Sequence, residues 1–308
     1  MKARNDQLDL LLERFQQRRP LRAGSLIISV FGDAIVPRGG VIWIGSLIQL
    51  LEPMGINQRL VRTSIFRLTQ EGWLTAKKVG RRSYYGLTDT GRRQFEKAFR
   101  RVYAGGQPAW DGAWTLVLLN QLPPELRDDA RQELKHMGMG LFSPTVLAYP
   151  SLETADLIAT LQELNALDDT IIFQTREQHS FAPRPLRRQV QEAWDLDQLS
   201  VTYQAFVDRF RLLWNQMRKA DHLQAGRCFL TRIMLIHEYR KILLRDPLLP
   251  EQLQPADWEG QAARQLCRNL YRLVYKDAED WLSWHAETAE GPLPAPAESF
   301  YRRFGGLD

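Results

Sequence analysis

Nine side chains between Asn57 and Leu87, in the stretch NQRLVRTSIFRLTQEGWLTAKKVGRRSYYGL, have the types and spacing to meet a polyanion. They are Arg59, Arg62, Thr63, Ser64 and Arg67, followed by Lys77, Lys78, Arg81 and Arg82. Guanidinium and ammonium groups neutralise phosphates, and arginine and hydroxyl side chains reach base edges in the major groove of duplex DNA. At about 100° per residue, Val61, Ile65 and Leu68 share one side of a helix. Arg59, Arg62, Thr63, Phe66 and Gln70 share the opposite side, with Ser64 and Arg67 on its flanks. One side therefore docks on a core and the other is left for a ligand. Asn57 stands where an N-cap belongs and Gly72 where a left-handed C-terminal glycine belongs. Trp73–Val79 and Arg82–Leu87 then read as two strands joined at Gly80-Arg81, with four cationic residues at the tip. Helix followed by basic hairpin is the order of a winged helix-turn-helix.

Other reactive chemistry is sparse. The chain has no phosphate-cradling glycine loop with a following lysine, no glycine-flanked serine elbow and no His-Glu-x-x-His. No enzyme activity and no cofactor are expected. The five histidines, at 136, 179, 222, 237 and 285, are scattered. His237 stands out because Glu238, Tyr239 and Arg240 follow it in an otherwise apolar helix, although a satisfied core histidine is the better reading. Cys228 and Cys267 lack zinc spacing and read as buried thiols in a reducing compartment.

The charge is unevenly spread. Residues 1–103 hold 19 Lys and Arg against 8 Asp and Glu, a net +11, whereas the remainder holds 22 against 28, a net −6. Attraction for a polyanion belongs to the N-terminal third. No apolar run approaches a membrane span, and MKARNDQLDLLLERF has acidic residues ahead of any apolar stretch, so no secretory signal is read. A cytoplasmic location and no membrane partner follow.

The elements that must position these groups can be placed along the chain. Leu8, Leu11, Leu12 and Phe15 make an amphipathic helix within 1–20. A head over 21–104 holds a helix Ser25–Ile35 with Ser25 as its N-cap, a helix Trp43–Leu51, the recognition helix, the hairpin and a linker helix to Tyr103. Gly105-Gly106-Gln107-Pro108 is a linker. The central segment, 109–178, reads as strand Trp114–Leu119, helix Pro124–Met137, hairpin strands Gly138–Phe142 and Thr145–Tyr149, helix Thr154–Leu164 and strand Thr170–Gln174. That order, βαββαβ, is the ferredoxin-like motif. After Pro183-Arg184-Pro185, helices Leu186–Trp194, Ser200–Met217, Phe229–Arg245 and Ala262–His285 make an all-α domain over 184–308, part of the acidic body whose charge suits sensing or assembly. The fold class is α+β, multidomain.

The runs GSLIISVFGDAIVPRGGVIWIGSL from Gly24, VRTSIFRLTQEGWL from Val61 and GRRSYYGLT from Gly80 resemble the PaaX repressors. So do AWDGAWTLVLL from Ala109, DPLLPEQLQPADWEGQAARQLC from Asp246 and FYRRFGGL from Phe300. The resemblance covers essentially the whole chain. It implies a repressor of a phenylacetate-catabolic operon, a winged-helix head, a ferredoxin-like centre and a helical C-terminal domain. It also implies a homodimer on palindromic double-stranded operator DNA, released by an aryl-acyl-CoA, phenylacetyl-CoA.

A CoA thioester needs cations for its phosphates and an apolar slot for the acyl group. On that resemblance the effector residues expected are Arg184, Arg187 and Arg188 for phosphates and Trp194 and Tyr239 nearer the acyl group, with His237 and Arg240 beside them. The centre is also similar in outline to the small ribonucleases of CRISPR adaptation, which makes a metal-dependent nucleic-acid hydrolase the alternative function. The first strand ends at Leu119-Asn120-Gln121 without the carboxylate such an enzyme needs, and Asp111 precedes the strand.

Overall fold

The computed structural model describes residues 6–19, 22–103, 110–150, 152, 154–176 and 184–307. The expected linker Gly105-Gly106-Gln107-Pro108 lies outside the described residues, as does Pro183, whereas Arg184 and Pro185 of the second junction open a helix. The chain is mixed α+β with small antiparallel sheets. Its contacts sort into two compact units that interleave along the sequence. One comprises Met1–Gly105, Gln204–Leu244 and Gly260–Asp308, and the other Gly106–Tyr203 and Arg245–Glu259. The segmentation read from the sequence ran consecutively, whereas the helices after residue 184 divide between both units.

The first unit begins with α1 (Gln7–Gln16), capped by Asp6, whose carboxylate accepts from the Leu8 amide at 3.0 Å. α2 (Ala23–Val30) follows. Its N-cap position is Arg22, not Ser25, and it has no side-chain cap. Ser25 lies inside the first turn, where its carbonyl and hydroxyl each accept from Arg240 at 3.0 Å. Beyond Val30 the backbone widens into a π-turn over Phe31–Ile35 and tightens into a 3-10 turn over Val36–Arg38. Then come β1 (Val41–Trp43), α3 (Ile44–Leu51), α4 (Gln58–Gln70), β2 (Leu74–Val79), β3 (Arg82–Leu87) and α5 (Asp89–Tyr103). The sequence reading ran a helix from Trp43 and missed β1, which is too short to show alternation. β1 pairs with β3, and β3 with β2, giving the order β1-β3-β2.

The second unit holds β4 (Ala113–Leu118), α6 (Pro124–His136), β5 (Gly140–Ser143), β6 (Val146–Pro150), α7 (Thr154–Glu163) and β7 (Ile171–Arg176). Its antiparallel sheet has the order β5-β6-β4-β7. Val117, Leu119, Leu134, Leu147, Leu157 and Leu161 form the core beneath that sheet. α8 (Arg184–Ala193) packs on β5, and at its end the Trp194 indole donates to the Gly138 carbonyl at 2.8 Å. α9 (Leu196–Met217) begins in this unit and continues into the first.

α10 (Ala225–Leu243) and α11 (Glu259–His285) complete the first unit, followed by the small hairpin β8 (Glu287–Thr288) and β9 (Gly291–Pro292) and by α12 (Glu298–Tyr301). α10 is buried almost all round, as an apolar helix must be when neighbours cover every side. It packs against α2 and α5. Gly32 permits a close approach here. A Cβ at that position would lie 1.5 Å from the Phe95 ring, so any side chain would push α5 away. Among the described residues no helix is long and apolar enough to cross a membrane.

Candidate nucleic-acid interface

α4 starts at Asn57, whose side chain accepts from the Leu60 amide at 2.9 Å and satisfies one of the amides left free at a helix start. It stops at Gly72, whose φ of 74° lies in the left-handed region that glycine enters without a Cβ clash. Val61, Ile65 and Leu68 are buried. Arg59, Arg62, Thr63, Phe66, Arg67 and Gln70 are exposed, and Ser64 is half-buried. Thr63 donates its hydroxyl to the Arg59 carbonyl at 2.9 Å. Arg67 lies 3.6 Å from Glu71 in an exposed pair of the kind that contributes little.

In the hairpin, Lys77 is registered with Tyr84, Lys78 with Ser83 and Val79 with Arg82. Lys77, Lys78 and Arg81 are exposed. Arg82 is exposed as well but makes contacts within the protein. Its guanidinium stands over the Trp43 ring at 4.3 Å and pairs with Glu287 of β8 at 2.8 Å. The Glu287 amide in turn donates to Ser46 in α3 at 3.1 Å. Arg82 therefore joins the hairpin to the C-terminal segment, and its charge is matched within the protein. Nothing near Arg82 in sequence announces that partner.

The same unit also holds a buried ionic network that the spacing of residues in the sequence does not reveal. Asp33, wholly buried in the π-turn, accepts from Arg232 of α10 at 2.5 Å, from Tyr271 of α11 at 3.0 Å, from Arg303 at 3.1 Å and from Tyr103. Burial raises both phenols above their ordinary values, so each remains an O–H donor. Arg232 also reaches Glu279, which accepts from Arg38 at 2.8 Å. The wide turn frees backbone oxygens, and guanidinium donors meet them. Arg232 donates to the Asp33 carbonyl at 2.8 Å and Arg303 to the Gly32 carbonyl at 3.2 Å. The signals available in sequence were an aspartate inside an apolar helix and an arginine inside another.

The seven expected effector residues are divided between the two units. Arg184, Arg187 and Arg188 are exposed along α8, with Arg188 paired to Glu192 at 2.8 Å. Trp194 covers β5, its ring close enough to Gly140 that no Cβ fits there. His237, Tyr239 and Arg240 belong to the other unit and are buried in it. The His237 ring nitrogen Nδ1 lies 3.0 Å from the Ser29 hydroxyl, and burial lowers the imidazole to about 3. It is neutral at physiological pH and offers no charge to a phosphate. Tyr239 packs on Phe206 with ring centroids 5.5 Å apart. Beside them Glu238 holds Arg18 at 2.7 Å and Arg209 at 3.1 Å. A cleft of about 700 Å³ in the second unit is lined by Trp114, Thr115, Gln174 and Arg176 among others, with Arg176 paired to Asp111 at 2.7 Å. Asp111 precedes the first strand of that sheet and forms this pair at the surface. Among the described residues no three His, Cys, Asp or Glu side chains converge as a metal site requires.

Comparison with known proteins adds three findings. A solved structure, Uncharacterized protein Rv0674 from Mycobacterium tuberculosis, is 20% identical, covers 77% of this chain and 89% of its own, and gives a TM-score of 0.49. Transcriptional repressor PaaX from Escherichia coli (strain K12) is 41% identical over 302 residues, 98% of this chain and 96% of the relative. That relative is a regulator of transcription and not an enzyme, and it lends no support to the hydrolase alternative. The family model PaaX-like protein matches residues 22–91, the span of the exposed helix and basic hairpin, and the model PaaX-like protein C-terminal domain matches 194–284. With 98% of its sequence aligned to that relative at 41% identity, the chain belongs to the PaaX family of transcriptional repressors.

Proposed function

We propose that this protein is a cytoplasmic, homodimeric repressor of a phenylacetate-catabolic operon, which binds double-stranded operator DNA through a winged helix-turn-helix and releases it on binding phenylacetyl-CoA. The observation that carries the reading is the cationic outer face of α4, beside a basic hairpin, on a helix whose inner face is buried. The order α2-β1-α3-α4-β2-β3 with the sheet β1-β3-β2 supports the winged-helix assignment. α4 then enters the major groove and β2–β3 is the wing. The order β5-β6-β4-β7 with its two helices supports a ferredoxin-like connector for the second unit.

The wing gives a differential test. Arg81→Ala should flatten the slope of log affinity against log salt by about one unit, the signature of one lost phosphate contact. Arg82→Ala should change it much less, because Glu287 already matches that charge. Fluorescence anisotropy titrations on one duplex at four salt concentrations decide this. Equal changes for the two variants would show that Arg82 leaves Glu287 for the DNA.

Effector release is a coupling between two sites and is reciprocal. Phenylacetyl-CoA should lower affinity for the operator, and DNA should lower affinity for the thioester by the same factor. Free phenylacetate, which lacks the nucleotide phosphates, should do little. The exposed arginines of α8 remain the proposed phosphate contacts, and Arg187→Glu should abolish release while leaving DNA binding intact. Calorimetry showing equal thioester uptake by free and DNA-bound protein would remove phenylacetyl-CoA as the inducer.

A further inference from the structure

Phe66 is 66% exposed, and its position on α4 makes that exposure unusual. It is not a core residue at the margin of the buried side. At about 100° per residue, Arg59, Arg62, Thr63 and Gln70 all lie within roughly 60° of it, so Phe66 occupies the middle of the cationic face. Val61, Ile65 and Leu68 occupy the far side and leave it no share of the core. A large ring held in water amid cationic neighbours contributes nothing to the fold. The charges around it attract a polyanion, so the occupant of this face has to supply both phosphates and an apolar group. Duplex DNA supplies that combination in one place, since the C5 methyl of thymine is the apolar feature of the major-groove edge.

We infer that Phe66 is a specificity-determining residue that selects thymine by packing on its C5 methyl group. The inference rests on the DNA-binding reading above. It adds a base preference at a position where the arginines cannot supply one, because guanidinium groups favour the acceptor edge of guanine. Arg62 and Phe66 stand one helical turn apart, so the two preferences should fall on neighbouring base steps.

The test begins with the full chain and a random pool of duplexes, from which bound sequences are selected for the wild type, Phe66→Ala and Phe66→Leu. The wild-type consensus should contain a thymine whose preference disappears with Phe66→Ala and persists in part with Phe66→Leu. The selected duplex is then made with deoxyuridine at that single position, which removes the methyl and keeps the base pair. Wild-type affinity should fall about fourfold, the equivalent of one methyl group returned to water. Phe66→Ala should bind the thymine and uracil duplexes equally. Because the residue is exposed, both variants should keep the wild-type circular dichroism spectrum and urea midpoint. A wild type indifferent to uracil overturns the inference, as does a Phe66→Ala variant that still discriminates. A change of oligomeric state in Phe66→Ala, with thymine preference retained, would make the ring a protein contact and also overturn it. If the wild type selects no sequence at all, the DNA-binding reading fails first, and that result is distinct from the others.

Discussion

Asp33→Ala should lower the free energy of unfolding by about 3–5 kcal/mol, the range seen when one partner of a buried ion pair is removed. The carboxylate is wholly buried and serves Arg232, Arg303, Tyr103 and Tyr271. Without it, Arg232 keeps Glu279 as its charged partner among the described residues, and Glu279 also serves Arg38. Arg232 and Arg38 would then share one carboxylate, and the buried Arg303 would lose the carboxylate it pairs with. Total stabilities lie at about 5–15 kcal/mol, so the variant should sit near the edge of folding. Urea titration followed by tryptophan fluorescence should show a lower midpoint with the slope unchanged. Adding Arg232→Met to Asp33→Ala should recover part of the loss, because replacing a buried pair with apolar groups is often close to neutral. A loss below about 1 kcal/mol for Asp33→Ala would mean that the network is decoration on a core that stands without it.

This network also shows where sequence reading stops. Val61, Ile65 and Leu68 declare their burial by spacing, and Asn57 and Gly72 mark the ends of α4 by residue type, because helix periodicity and capping are local effects. The exposed face of that helix and most of the hairpin were legible for the same reason. Asp33 and Arg232 are separated by 199 positions, and Arg82 and Glu287 by 205, so no local pattern links them. Arg82 looked like its neighbours Lys78 and Arg81, yet a distant carboxylate and the Trp43 ring claim it. Ser25 had the type of an N-cap, but a buried guanidinium from α10 takes its oxygens. β1 and β8 are too short to alternate. The interleaving of the two units was equally hidden, since composition changes along the chain while packing ignores chain order. The effector residues were chosen by chemical type, and type alone could not tell the exposed arginines of α8 from the interior partners of Ser25 and Ser29.

Arg62→Ala should separate specific from general binding more sharply than any other change on α4. The side chain is exposed, lies near the middle of the outer face, and stands on a helix fixed by three buried residues and a satisfied N-cap. A guanidinium so placed can form two parallel hydrogen bonds to one guanine, and such a contact distinguishes bases by about 1–3 kcal/mol. The expected loss is therefore roughly 5- to 150-fold on the selected operator. On random duplex the same residue can only meet phosphate, so the loss there should be several-fold smaller. Arg62→Lys should keep the charge and restore binding to random DNA without restoring the operator preference, because an ammonium group cannot present the planar fork. Competition titrations of both variants against both duplexes at one salt concentration make the comparison. Equal losses on the two sequences, or full rescue by lysine, would reduce Arg62 to a phosphate contact and move base recognition elsewhere on the helix.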